Sequence, residues 1–104
     1  MIITCVGDCG VDYYQDYKLL RPGGITLNFA VHARKAFPLE DSIEVITALG
    51  TDKEAQIVEA TIAKHHLIPH IIRLPGKTPI QYIDHDERGE KKFVKYEEGI
   101  LADF

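Results

Sequence analysis

Asp8, Asp12 and Asn28, with the glycine pair Gly23-Gly24 set between them, are the residues of this chain whose types and spacing could hold a small polar molecule. A carboxylate accepts hydrogen bonds from two neighbouring hydroxyls, and a primary amide donates and accepts at once. Asp12 with Asn28 therefore suits a polyhydroxylated ligand such as a sugar. Gly23 and Gly24 lack β-carbons and lead into Ile25-Thr26-Leu27-Asn28, so a ligand can approach the main chain beside helix N–H groups that have no internal partner. The bland alternative is that Asp8 and Asp12 cap turns and the glycines make one, since such residues are common in loops. It is the combination, not any one residue, that favours a binding site.

The elements that must position these residues follow from hydrophobic patterning. Residues 2–6 are a continuous apolar run ended by Gly7, which suits a strand covered on both faces, as in a parallel sheet flanked by helices. Thr26 to about Phe37 reads as a helix with Thr26 as N-cap, Arg34 and Lys35 near its end, and Pro38 beyond it. Ser42 to Ala48 is a second apolar strand. Gly50-Thr51-Asp52 then opens a helix over about 53–66, with Asp52 as cap and Ala55, Val58 and Ile62 at helical spacing. His70 to Leu74 is a third short strand. This β-α-β-α-β order predicts an α/β architecture with a parallel sheet, in which ligands sit beyond the carboxyl ends of the strands, where Gly7, Asp8 and Asp12 fall.

After Pro75-Gly76 the pattern changes. Residues 79–85 and 91–96 are strand-like runs separated by Asp86-Glu87-Arg88-Gly89, a hairpin signature with glycine at the left-handed position. Both runs mix aromatics with charges, so the hairpin is expected to project from the domain or cover one of its openings. Gly99 to Phe104 reads as a loop approaching another buried element.

Composition narrows the partners. The 104 residues are 45% hydrophobic, enough for one compact domain, and 12 Lys plus Arg against 16 Asp plus Glu give a formal net charge of −4. That balance argues against nucleic acid, and the apolar start is far too short to span a membrane. A cytoplasmic protein is expected. Cys5 and Cys9 flank a strand end in a way that disfavours pairing and read as reduced, non-catalytic thiols. Five histidines invite a metal site, but His65 and His66 are adjacent on a helix and point apart, so none is expected. Glu87, Glu90, Glu97 and Glu98 could attract a substrate amine or simply form a solvated acidic surface. Lys91 and Lys92 read as solvating residues that blunt an edge strand. Tyr13, Tyr14 and Tyr17 could stack on a ring or pack against the hairpin.

Gly7-Asp8-Cys9-Gly10-Val11-Asp12, Pro22-Gly23-Gly24 with Asn28 and Ala30, Gly50-Thr51-Asp52, Gly76-Lys77-Thr78 and Tyr96-Glu97-Glu98-Gly99 together resemble the amino-terminal half of the ribokinase-like (PfkB) carbohydrate kinases. The match covers essentially the whole chain. The aspartate after the first glycine, the Tyr-x-Glu-Gly segment and the Ala-Asp-Phe ending resemble most the branch that phosphorylates fructoselysine and related fructosamines at the 6-hydroxyl. Two positions depart from the pattern: Ala55 stands where a glycine is usual, and Gly10 interrupts a stretch that is commonly bulkier in that branch.

The resemblance implies that Asp12, Gly24 and Asn28 contact sugar hydroxyls, with Asp8 and Gly23 beside them. It also implies that the hairpin at about 79–96 is a lid that closes over the sugar and joins two subunits. ATP and Mg2+ are the family's cofactors. The family's Gly-Ala-Gly-Asp motif, whose aspartate is the general base and whose glycines form an anion hole, has no counterpart between Met1 and Phe104, and no Gly-x-x-x-x-Gly-Lys is present. The expectation is therefore a partial domain of 104 residues. It has the sugar-binding half, lacks the nucleotide-binding half, holds no catalytic residue and does not by itself transfer phosphate. The alternative is a non-catalytic sugar-binding or dimerisation module.

Overall fold

The computed structural model describes residues 1–103 and consists of two sheets with two helices. Its elements in chain order are β1 (Ile2–Val6), β2 (Gly10–Tyr14), β3 (Leu19–Gly23), α1 (Ile25–Ala36), β4 (Ser42–Leu49), α2 (Lys53–Lys64), β5 (Ile68–Arg73), β6 (Ile80–His85), β7 (Lys91–Glu97) and a closing 3-10 turn, Gly99–Asp103. The closing segment expected to be a loop is thus a 3-10 turn over its described part, and Phe104 lies outside the described residues.

β1, β4 and β5 form the expected parallel sheet, in the order β1-β4-β5. β4 is central, and its alternate residues Ile43, Val45 and Leu49 are buried with Leu27, Ala30 and Ala33 of α1 and Val58 and Ile62 of α2. The expectation that residues 2–6 are covered on both faces is corrected. β1 is an edge strand, and the face carrying Ile2, Val6, Ile68 and Ile72 is exposed because both helices contribute to the core on the other side. α1 also begins one residue earlier than its sequence implies. Gly24, at φ 99° and ψ 142°, is the N-cap, and its carbonyl accepts the first helical bond from the Asn28 N–H at 3.1 Å. Thr26 is instead a buried residue of the first turn. Asp52 is the cap of α2 as expected, accepting from the Ala55 N–H at 3.3 Å.

The second sheet is larger than a hairpin. β6 and β7 are antiparallel, with Gly89 at φ 79° in their turn, but β2 and β3 extend them to a four-stranded sheet in the order β3-β2-β6-β7. β2 and β3 escape the sequence reading for two reasons. Their turn, Gln15 to Lys18, contains no glycine, and its left-handed residue is Lys18 at φ 51°. In addition, Pro22 interrupts β3, which is tolerated only because β3 is an edge. One face of this second sheet, with Val11, Tyr13, Leu20, Ile80 and Tyr82, joins the core shared with α2. Tyr13 and Tyr82 meet edge to face at 5.8 Å.

A polar clamp ties the two sheets together. The Asp52 carboxylate accepts from the Thr78 hydroxyl at 2.7 Å and the Thr78 N–H at 2.9 Å, while the Thr78 oxygen accepts from the Gly50 N–H at 3.1 Å. Thr78 is fully buried, so each of these groups has its partner inside the protein.

Candidate sugar site

Gly7 ends β1, and the chain crosses from the parallel sheet into the second sheet, returning through Gly23-Gly24 into α1. These two crossings and one face of the second sheet bound one cleft of about 490 Å³. Asp8, Asp12, Gly24 and Asn28 all line it, beside Gly10, Val11, Ile25, Pro79, Gln81, Ile83, Lys91, Phe93 and Tyr96. Four of the five residues singled out in the sequence are therefore neighbours across one cavity, although 20 positions separate Asp8 from Asn28.

Gly23 has a different place. It is buried opposite Gly10 in the β2–β3 pairing, and a β-carbon on it would come within 2.5 Å of Asp12 Oδ1. Its missing side chain is the seat of the Asp12 carboxylate. Gly24 is needed for its backbone: at φ 99° an L side chain is strained, and a β-carbon would lie 2.8 Å from the Asp8 carbonyl oxygen. α1 has neither a side-chain cap nor an acidic residue in its first turn, so its opening N–H groups are left for water or a ligand at the cleft. Asn28 is exposed there, and among the described residues its amide makes no hydrogen bond.

The electrostatics are mixed. Burial pushes the Asp12 carboxyl above its ordinary value, while the Lys91 ammonium pulls it the other way without cancelling the effect. Burial first, then the carboxylates of Asp8 and Glu98, push the Tyr96 phenol above its ordinary value. Cys9 lies fully buried behind this wall. Burial raises its thiol to about 11, so it is no nucleophile. Cys5 and Cys9 are unpaired. Tyr14 and Tyr17 gather instead on His85, which bonds Asp16 at 2.7 Å, away from the cleft lining.

Lys91, Phe93 and Tyr96 are the site residues that sequence reasoning missed. β7 carries an extra residue: Tyr82 pairs with Lys95, but the next residue, Ile83, pairs with Phe93, which leaves Val94 as a bulge. The bulge reverses the alternation, so that Tyr96, Phe93 and Lys91 share the cleft face with Gln81 and Ile83. Strict alternation would have grouped Tyr96 with Val94 and Lys92.

No protein-family profile matches the chain. It is 32% identical over 100 residues to the fructosamine kinase FrlD of Bacillus subtilis, a match covering 95% of this chain and 34% of that protein. The chain thus spans about a third of the length of the curated relative that it matches. Among solved structures it superposes on a ribokinase from Thermotoga maritima with a TM-score of 0.76 at 20% identity, covering 95% of this chain and 37% of that one. A fructokinase from Xylella fastidiosa gives 0.73 at 21% identity, with 91% and 33% covered, and the same enzyme is also known with ATP bound. Geometry and sequence thus lead to one conclusion: the chain has the ribokinase-like α/β fold and resembles the amino-terminal part of the carbohydrate kinases built on it.

Proposed function

We propose that the cleft is the acceptor site of an ATP-dependent carbohydrate kinase acting on fructosamine-type sugars. Asp8, Asp12 and Asn28 hold hydroxyls, and Gly24 with the start of α1 gives access to backbone donors. The observation that carries this reading is the convergence of Asp8, Asp12, Gly24 and Asn28 on one cavity, in a chain similar over 95% of its length to a fructosamine kinase. Asp12 with Asn28 supplies the acceptor and donor groups that adjoining hydroxyls require.

The donor side lies elsewhere in this reading. Among the described residues no three His, Cys, Asp or Glu side chains converge as a metal site, and the chain contains no glycine-rich phosphate cradle. On this reading the segment supplies acceptor binding. Cytoplasmic residence is supported by the two unpaired cysteines. Among the described residues no helix is long and apolar enough to cross a membrane. Pairing of two copies along the lid is supported by β7, an edge strand exposed along its whole length.

Thermal denaturation with added ligand tests the acceptor site, because a ligand that binds only the folded state raises the melting temperature. Fructosylglycine and fructose are expected to raise it in the unmodified chain and to leave Asp12→Ala unmoved. No shift with either sugar in the unmodified chain overturns the proposal.

A further inference from the structure

The cleft has two unlike walls. Asp8, Asp12, Gly24 and Asn28 form a polar wall on the side of α1, and the lid contributes Lys91, Phe93 and Tyr96. The polar wall already offers enough groups for a small polyol. The cavity, at about 490 Å³, is of the size that takes a ligand larger than one sugar ring, since binding pockets run from roughly 300 to 1,000 Å³.

The lid wall is chemically specific. Lys91 is the single cation among the described residues lining the cleft, and its ammonium lies 5.5 Å from the centre of the Tyr14 ring. No ion pair within 4 Å fixes it to a carboxylate among the described residues. Phe93 is 67% exposed although it faces the cavity, leaving a large apolar surface uncovered beside that charge. The Val94 bulge is what puts both residues on the cleft face. A charge held near an aromatic face but free of an anionic partner, next to an uncovered ring, is arranged for a ligand with a short apolar arm ending in an anion.

Resting on the acceptor-site reading, we infer that Lys91, with Phe93 and Tyr96 beside it, is a subsite for an anionic group carried on the sugar's substituent, so that the preferred ligand is an acidic sugar conjugate and not a free sugar. A carboxylate, as in a sugar joined to an amino acid, and a phosphate ester share this chemistry. The alternative role for Lys91, neutralising Asp12, makes a different prediction. It would matter equally for every sugar that Asp12 holds.

Calorimetric titration of the 104-residue chain and its Lys91→Gln and Lys91→Arg variants with four probes separates these possibilities. The probes are fructosylglycine, fructosylglycinamide (which lacks the carboxylate), fructose and fructose 1-phosphate. The unmodified chain is expected to bind fructosylglycine roughly tenfold more tightly than fructosylglycinamide, the scale of one hydrogen bond to a charged group. Lys91→Gln should erase that difference without changing the affinity for fructose, and Lys91→Arg should keep most of it. A Lys91-dependent preference for fructose 1-phosphate instead supports the subsite and identifies the anion as phosphate. Equal binding of all four probes, or a Lys91→Gln variant weakened equally towards all of them, overturns the subsite and leaves the acceptor site standing. Binding of none overturns both.

Discussion

Asp12 and Gly23 act as one unit, and single-residue changes separate its parts. Gly23→Ala places a methyl group where the Asp12 carboxylate sits, at a backbone conformation that alanine tolerates, so the acid must swing away. The expected result is a chain of nearly normal melting temperature that has lost its thermal shift with fructosylglycine. Gly24→Ala forces an L residue to φ 99° against the Asp8 carbonyl, and should cost about 1–3 kcal/mol of stability in a denaturant titration. Asp12 also has a pH signature. Its raised folded-state pKa means that the ionised form burdens the fold; this cost is present above the folded pKa and is relieved as pH falls through it. Asp12→Asn should therefore melt higher than the unmodified chain at neutral pH while binding sugar poorly. Sugar affinity of the unmodified chain should fall on acidification before an ordinary carboxylate would titrate. A variant that melts lower at neutral pH would contradict the assigned burden.

At the scale of elements, the lid holds its place through the Asp52–Thr78 clamp and aims its side chains through the β7 bulge. The clamp has the opposite pH sign to Asp12. Desolvation raises the Asp52 carboxyl, but the Thr78 hydroxyl and the N–H groups of Thr78 and Ala55 outweigh it and hold the pKa below normal. Its contribution is therefore present above the unfolded-state pKa and is lost as pH falls through the folded one. Asp52→Ala removes the cap of α2 and leaves two donors of buried Thr78 unpaired, at a cost of about 2–4 kcal/mol in a urea titration near neutral pH. A loss below about 0.5 kcal/mol, the range of an ordinary surface substitution, would mean that the clamp is not what joins the sheets. Deleting Val94 tests the bulge: without the extra residue Lys95 still pairs with Tyr82 and Phe93 with Ile83 in a regular ladder, so Phe93 and Lys91 stay on the cleft face. Nuclear Overhauser contacts between Phe93 and Ile83 should survive together with the preference for fructosylglycine, and their loss would refute the assigned register.

For the whole molecule, the uncovered surfaces are the outer face of the parallel sheet, with Ile2, Val6, Ile68 and Ile72, and the exposed length of β7. Apolar sheet faces and free edges favour association, so the chain is expected to elute larger than a monomer at high concentration. Ile72→Lys and Val94→Lys divide the two surfaces: the lid pairing proposed above requires Val94→Lys to give the monomer and Ile72→Lys to leave the assembly intact. The features legible along the chain are local. The apolar runs, the Asp52 cap, the Asp86–Gly89 turn and the β-α-β-α-β order of the parallel sheet with its helices are set by side chains a few residues apart, and the chemistry of Asp8, Asp12, Gly24 and Asn28 is intrinsic to their types. The remaining features come from strand pairing and packing. β2 and β3 are strands because β6 pairs with β2, despite a turn without glycine and a proline at the edge. Gly23 supports an acid instead of facing the cleft because β3 brings it under Asp12. Lys91 and Phe93 face the site because one extra residue in β7 reverses its alternation, and the parity of a strand is a property of its partner's register that no period read along a single chain contains.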